Sequence, residues 1–259
     1  MQSTLADLRL LMRDLPASLD NVKAQPPVER DTAHYLSKIG TIKSLDAFMS
    51  DDRVYRFALQ AFGLQDMAYA KAFIRKVLSE GTDQPKALAN RLADPRFREF
   101  VEAFNFARYG SATTSFSRTQ EGTVDRFVRL TLEIDAGKTN EGLRLALYFQ
   151  RKASGVSTPY ALLADRALFR VTQVALGMPN GSAGQNIDRQ AELITKRLKM
   201  SDLQNPQAVE KLLTRFAALW DIEQPKPMQS PVVSLMNGQR EDGIGVDVLT
   251  RIQNTRMGR

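Results

Sequence analysis

The sequence predicts an all-α protein, a multi-helix bundle, and three observations support this prediction. Ala, Leu, Arg, Lys, Gln and Met are abundant among the 259 residues, whereas alternating runs of Val, Ile and Thr are nearly absent. The first group favours helices and the second favours strands. Apolar residues recur at spacings of three and four, and Pro, Gly and capping residues stand at the ends of these stretches.

The composition excludes several kinds of chemical site. The chain has no cysteine, so disulfides, thiolate metal sites and cysteine nucleophiles are excluded. Its single histidine, His34, excludes a site with several histidine ligands. We therefore predict no catalytic, cofactor-binding or metal-binding residues.

The distribution of apolar residues argues against a membrane protein. The longest apolar runs are a few residues, whereas a membrane-spanning helix needs about 20. The N-terminal sequence MQSTLADLRLLMRD has no basic segment ahead of an apolar one, as a secretory signal would. We expect no membrane span, no signal peptide and a cytoplasmic location.

The net charge of +7 raises the question of nucleic-acid binding. Residues 1–110 carry 16 basic and 14 acidic side chains, residues 111–222 carry 15 and 11, and residues 223–259 carry 5 and 4. Nucleic-acid binders concentrate their basic groups, because clustered phosphate contacts release counterions. This even spread favours a mildly basic solvated surface over a nucleic-acid interface.

Residues 1–26 are predicted as an N-terminal helix and linker. Leu5, Leu8 and Leu11 recur at helical spacing, and Pro16 is expected to end the helix.

Residues 27–110 are predicted as a first helical subdomain. Asp51 or Asp52 is placed to cap a helix and Gly63 to end it. The phenylalanines at 97, 100 and 104 have helical spacing, which is typical of a core rather than of a ligand-stacking face.

Residues 111–139 are predicted as a loop and a bridging helix. The small and polar stretch 107–120 is typical of a surface loop, and a helix is expected over 123–136. The segment from Asp135 to Thr139, DAGKT, is similar to the end of a phosphate-binding loop. Such a loop needs a glycine at the position of Leu132, so the nucleotide interpretation fails.

Residues 140–222 are predicted as a second helical subdomain and as a copy of the first. At an offset of 114 residues, an Asp at a helix start, an Arg one turn later and a Gly at the helix end all recur. We predict an internal duplication with these structural repeat positions: Asp51, Arg56, Gly63, Asp165, Arg170 and Gly177.

Residues 223–259 are predicted as a flexible tail, since three prolines and four glycines interrupt any helical pattern. A short apolar cluster in this tail could dock on a partner: Val232, Val233, Leu235 and Met236.

Several motifs together carry a family resemblance over about residues 5–222. They include Ala61-Phe62-Gly63-Leu64, Ala89-Asn90-Arg91-Leu92, and Arg144-Leu145-Ala146-Leu147-Tyr148-Phe149. In these motifs the chain resembles the domain of unknown function 1217 family. The resemblance implies a helical bacterial protein of a family whose genes often lie among flagellar genes, and it carries over no catalytic residue.

The resulting hypothesis is a non-enzymatic protein, associated with the flagellum, that binds another flagellar component in assembly, regulation or a chaperone-like role. A nucleic-acid-binding regulator is the first alternative, suggested only by the net charge. An enzyme is the second, although acidic residues such as Asp51 and Asp165 are explained as helix caps.

Overall fold

The computed structural model describes residues 3–179, 184 and 186–223, and within these residues every regular element is helical. This confirms the predicted all-α class. The α-helices are α1 (Thr4–Arg13), α2 (Leu15–Lys23), α3 (Pro26–Ile39), α4 (Leu45–Ser50), α5 (Asp52–Ala61), α6 (Lys71–Glu80), α7 (Leu88–Arg91), α8 (Pro95–Ala103), α9 (Phe106–Tyr109), α10 (Glu121–Thr139), α11 (Glu141–Lys152), α12 (Pro159–Ala164), α13 (Arg166–Ala175), α14 (Ile187–Arg197) and α15 (Pro206–Glu223).

The described helices enclose two clusters of buried apolar residues. The first cluster takes its side chains from α2 to α9 and from the first half of α10. The second takes them from α1, from α11 to α15 and from Ala136 near the end of α10. Leu132, in the middle of α10, packs against both clusters. The domain boundaries expected at 27–110 and 140–222 stay a prediction.

The aromatic stripe lies in the first cluster. Phe97 is 7% exposed, and Phe100 and Phe104 are fully buried. The rings of Phe100 and Phe104 pack 5.2 Å apart, and Phe48 packs 5.1 Å from Phe104. The interpretation of this stripe as core is therefore confirmed.

The N-terminal segment differs from its prediction, because Pro16 starts a helix instead of leaving a linker. Proline fits the first turn of a helix, where its missing N–H has no partner to lose. Asp14 caps α2 by accepting a hydrogen bond from Ala17 N at 3.0 Å.

Helix α1 is held by Asp221, 217 residues further along the chain. The Asp221 carboxylate accepts hydrogen bonds from Thr4 N at 3.0 Å, from Ser3 Oγ at 2.8 Å and from Leu5 N at 3.3 Å. It therefore supplies acceptors to backbone N–H groups that a first helical turn leaves free.

The segment 107–120 is not the surface loop that its composition predicted. It contains α9 and a 3₁₀ helix, and Thr113, Thr114 and Thr119 are fully buried. Their hydroxyls donate to backbone carbonyls, as Thr114 Oγ1 does to Ile42 O at 2.6 Å. Threonine can be buried in this way because the carbonyls satisfy its polar group.

The predicted repeat has matching local geometry in its two copies. Helices α4 and α12 have six residues each, and α5 and α13 have ten, at the same offset of 114. Ser44 caps α4 through Ala47 N, and Thr158 caps α12 through Ala161 N. This likeness favours the duplication. Because short capped helices also arise independently, the duplication stays a prediction.

Candidate functional site

A cleft of about 260 Å³ opens where α10 and α11 face the end of α5 and the helix α8. We call it the arginine cleft, because guanidinium groups from three helices enter it. It is lined by Ala61, Phe62, Gly63, Gln65, Arg96, Glu99, Arg126, Leu130, Glu133, Ile134, Arg144, Tyr148, Arg151 and Lys152.

The periodicity of the α-helix explains why α10 and α11 bring so many of their residues to this cleft. Positions separated by three, four, seven and eight residues share one face of a helix. On α10 such a face carries Arg126, Leu130, Glu133 and Ile134; on α11 the corresponding spacing brings in Arg144, Tyr148, Arg151 and Lys152.

A single residue, Asn140, connects the two helices. Its side chain accepts a hydrogen bond from Leu143 N at 3.1 Å, which caps α11. The turn is therefore tight, and it fixes the α10 face beside the α11 face.

A buried ion pair joins these two helices inside the cleft. Glu133 is only 3% exposed, and its two carboxylate oxygens accept from Arg151 Nε at 2.6 Å and from Arg151 Nη2 at 2.8 Å. Burial alone would lower the pKa of Arg151, but its hydrogen bonds to Glu133 raise that pKa overall. Arg151 therefore stays protonated and donates two hydrogen bonds to the carboxylate of Glu133.

Tyr148 links the cleft to a predicted repeat position. Its hydroxyl donates to Asp165 Oδ2 at 2.6 Å, while Arg151 lies 5.1 Å from its ring centroid. Burial, and then the hydrogen bond to Asp165, raise the pKa of the Tyr148 phenol well above its usual value. The phenol therefore stays protonated and acts as a hydrogen-bond donor.

Arg96 closes the cleft from the side of α8. Its guanidinium binds the Asp94 carboxylate through Nε at 3.0 Å and Nη2 at 2.7 Å, and it also donates to Gly63 O. The hydrogen bonds to Asp94 raise the pKa of Arg96. This arginine thus ties α8 to the end of α5.

Glu99 on α8 is shared by two cations from the opposite wall. Lys152 hydrogen-bonds to Glu99 Oε1, and Arg126 Nη1 lies 3.6 Å from Glu99 Oε2. The Arg126 guanidinium also lies 4.8 Å from the centroid of the Phe62 ring. These contacts join α8 to both α10 and α11.

The predicted repeat positions have structural roles, and two of them reach the cleft. Asp51 caps α5 and Asp165 caps α13, each accepting from backbone N–H groups at 2.9–3.1 Å. Gly63 and Gly177 follow these helices with φ of 70° and 61°. Gly63 lines the cleft, and Asp165 binds its Tyr148.

The two repeat arginines have different surroundings. Arg56 pairs with Asp52 at 2.6 Å and lies with His34 in a separate, open groove. Arg170 donates to Gln173 and lies 5.3 Å from the ring centroid of Trp220. The tail residues Val232, Val233, Leu235 and Met236 lie outside the described residues.

Sequence reasoning missed the charged residues of the cleft, although a signal was present. Counting charges along the chain showed no cluster, because the cleft gathers cations from positions 96 to 152. Two indications were available in the sequence. One was the charges on one face of α10, and the other was the motif from Arg144 to Phe149 that carries the family resemblance.

The described residues, 3–179, 184 and 186–223, contain neither a group of metal ligands nor a helix that could span a membrane. There, no group of three or more His, Asp or Glu side chains is placed to hold a metal ion. The helices in that part of the chain are also too short or too polar to cross a membrane.

Comparison with known proteins gives a family and one solved structure. The model of a family described as "Protein of unknown function (DUF1217)" matches residues 61–209, which include every residue of the arginine cleft. The crystal structure of protein AGR_C_984 from Agrobacterium tumefaciens is 44% identical, with a TM-score of 0.78. The match covers 86% of this chain and 94% of that one. No curated protein matches.

Proposed function

This chain belongs to the DUF1217 family of proteins of unknown function, and from that premise we propose that it is a non-enzymatic protein-binding protein associated with the bacterial flagellum. The flagellar part rests on the resemblance, which implies genes placed among flagellar genes. Gene neighbourhood suggests the pathway in which a protein acts, whereas its mechanism has to be argued from the residues of the site.

The observation that carries the protein-binding part is the lining of the arginine cleft. It combines guanidinium groups with apolar and aromatic side chains. Arg126 lies over the buried ring of Phe62, and Ile134, further along α10, is 38% exposed. Arginine and aromatic residues are enriched where proteins bind one another.

The ion pairs of the cleft support binding over catalysis. Each lining carboxylate is engaged, Glu133 by Arg151 and Glu99 by Lys152. A general base needs a carboxylate free to accept a proton, and a raised pKa keeps Tyr148 from acting as a nucleophilic phenolate.

Deletion of the gene in a motile strain tests this proposal. We expect altered swimming or altered filament assembly, and recovery when the full chain is supplied again. In parallel, the full chain and a version lacking residues 223–259 are used as baits in motile cells, with capture of a flagellar component expected. Normal motility and normal flagella in the deletion strain would contradict the flagellar role.

A nucleic-acid-binding regulator is the second candidate, and the five cations of the cleft are the observation in its favour: Arg96, Arg126, Arg144, Arg151 and Lys152. This function predicts that the protein retards duplex DNA and that retardation weakens steeply with added salt. If the protein causes no salt-sensitive retardation of duplex DNA, this second candidate function is excluded.

A further inference from the structure

The cations of the arginine cleft outnumber the carboxylates that bind them, so one carboxylate is shared by two cations. The five cations of the cleft are held by four carboxylates, of which two line the cleft and two, Asp94 and Glu141, bind Arg96 and Arg144 from outside it. Four carboxylates therefore serve five cations, and Glu99 is the one that serves two of them, Lys152 and Arg126.

Arg126 has the weakest of these pairings, because it shares the carboxylate of Glu99 with Lys152. Glu99 hydrogen-bonds to Lys152, and Arg126 approaches the same carboxylate only to 3.6 Å, which is beyond a good hydrogen bond. Among the described residues, the Arg126 side chain makes no hydrogen bond, and this ion pair is its contact with a carboxylate.

The guanidinium of Arg126 is held in place and is open to a ligand. Its side chain is 47% exposed, and its guanidinium carbon lies 4.8 Å from the centroid of the Phe62 ring. A cation over an aromatic face is restrained in orientation while its N–H groups remain available. A carboxylate is the partner that fits this planar donor fork.

An apolar strip continues from Arg126 along the same face of α10. Leu130 and Ile134 follow at one and two further turns, about 6 Å and 12 Å along the helix axis. Ile134 is 38% exposed, so the strip is open to solvent at its end.

We propose that the arginine cleft binds an acidic, amphipathic segment of a partner protein. A carboxylate of the segment binds the Arg126 guanidinium, and apolar side chains of the segment cover Leu130 and Ile134. The inference rests on the proposed protein-binding function and adds to it a site and the chemistry of the partner. It favours a peptide over a nucleic acid, because a phosphate backbone leaves the strip beside Arg126 uncovered.

Photo-cross-linking in motile cells tests the site directly. The full chain carries p-benzoyl-L-phenylalanine in place of Ile134, or, as the control, in place of Tyr160 on α12, which is 48% exposed and does not line the cleft. We expect a protein cross-link from the position of Ile134, with more Asp and Glu than Lys and Arg in the cross-linked segment by mass spectrometry.

Two arginine variants test the role of charge. Arg126→Gln in the Ile134 cross-linking chain should lower the yield about tenfold, since a charge-assisted hydrogen bond to a carboxylate is lost. Arg98→Gln is the matched control, because Arg98 is exposed, pairs with Glu102 and does not line the cleft. It should leave the yield unchanged, and thermal unfolding should show both variants folded.

Each remaining outcome overturns the inference. These outcomes are no cross-link from the position of Ile134, a segment without an acidic excess, equal yields for the two variants, or a cross-link to nucleic acid. A protein cross-link only from the position of Tyr160 overturns the cleft assignment and leaves the protein-binding function standing. Normal motility in the deletion strain, with no protein cross-link at either position, contradicts the proposed function itself.

Discussion

Replacing Gly142 by alanine should destabilise the protein, because α11 and α15 approach closely at this glycine. A Cβ atom there would lie 2.5 Å from both Cδ1 and Nε1 of Trp220, and 2.9 Å from Thr4 Cγ2. Trp220 is 8% exposed and packs against Phe216 at 5.4 Å between ring centroids. The indole ring is therefore confined and cannot simply swing away.

The expected loss follows from two opposing effects. Non-bonded carbon atoms prefer separations of about 3.5–4.0 Å, so the indole of Trp220 or the helix α11 must move by about 1 Å. Overpacking of this kind costs about 1–3 kcal/mol. Alanine gains up to about 1 kcal/mol over glycine within a helix. Because the Cβ would meet three atoms at once, we take the upper part of the overpacking range, about 2–3 kcal/mol. Subtracting the helix gain leaves a fall of about 1–2 kcal/mol in the free energy of unfolding of Gly142→Ala.

Urea unfolding followed by circular dichroism measures this difference. The matched control is Gly155→Ala, since a Cβ at Gly155 meets no atom within 4 Å. The control should stay within about 0.5 kcal/mol of the parent protein, as surface substitutions usually do.

A double-mutant cycle with Trp220→Leu tests the cause. If the indole is the obstacle, the cost of Gly142→Ala should shrink by about 1 kcal/mol in the Trp220→Leu background. Equal costs in both backgrounds, or a Gly142→Ala protein as stable as its parent, would refute the reasoning.

Four further substitutions test three other features of the structure, each by urea unfolding. Asp221→Asn should lower the free energy of unfolding by about 1–2 kcal/mol at neutral pH, because it weakens the acceptor for the first turn of α1. Arg151→Met should cost about 3 kcal/mol, since it leaves the Glu133 carboxylate buried without its cation. Gly63→Ala and Gly177→Ala should each cost about 1–2 kcal/mol, because alanine is strained at positive φ.

Each of these expectations has a control. Burial raises the pKa of Asp221, but the hydrogen bonds from Thr4 and Ser3 lower it overall. The contribution of the Asp221 carboxylate to the free energy of unfolding is therefore present above its unfolded-state pKa. That contribution is lost as the pH falls through its folded-state pKa. The Asp221→Asn difference should thus vanish in acid; a constant difference contradicts the assignment.

For the buried ion pair, replacing both partners separates loss of the pair from loss of packing. The double variant Glu133→Leu with Arg151→Met should recover most of the stability lost in Arg151→Met, because no charge is then left unpaired. No recovery would show that packing, not charge, is lost. For the two glycines, costs no larger than that of Gly155→Ala would contradict the argument from positive φ.

The sequence could predict what depends on neighbours within one or two helical turns. Asp51 and Gly63 were identified because a cap and a stop act on backbone groups three or four residues away. The burial of Phe100 and Phe104 followed from helical spacing for the same reason. These local rules sufficed for the all-α class.

The candidate site could not be predicted in this way, because its contacts join distant positions. Lys152 meets Glu99 across 53 residues, and nothing in the local pattern of either helix specifies the other. The threonines at 113, 114 and 119 were misjudged for a related reason. The Thr114 hydroxyl donates to Ile42 O, 72 residues earlier, and composition does not reveal such an acceptor.

The shared position of α10 has a consequence for how the described part of the chain unfolds. This helix has 19 residues, about 28 Å, and Leu132 at its middle belongs to both hydrophobic clusters. Loss of either cluster would remove the packing partners of about half of α10. An unsupported helical segment of about ten residues is marginal in water. We expect one calorimetric transition, and fragments cut within 111–139 that do not fold alone; two resolved heat-capacity peaks would contradict this coupling.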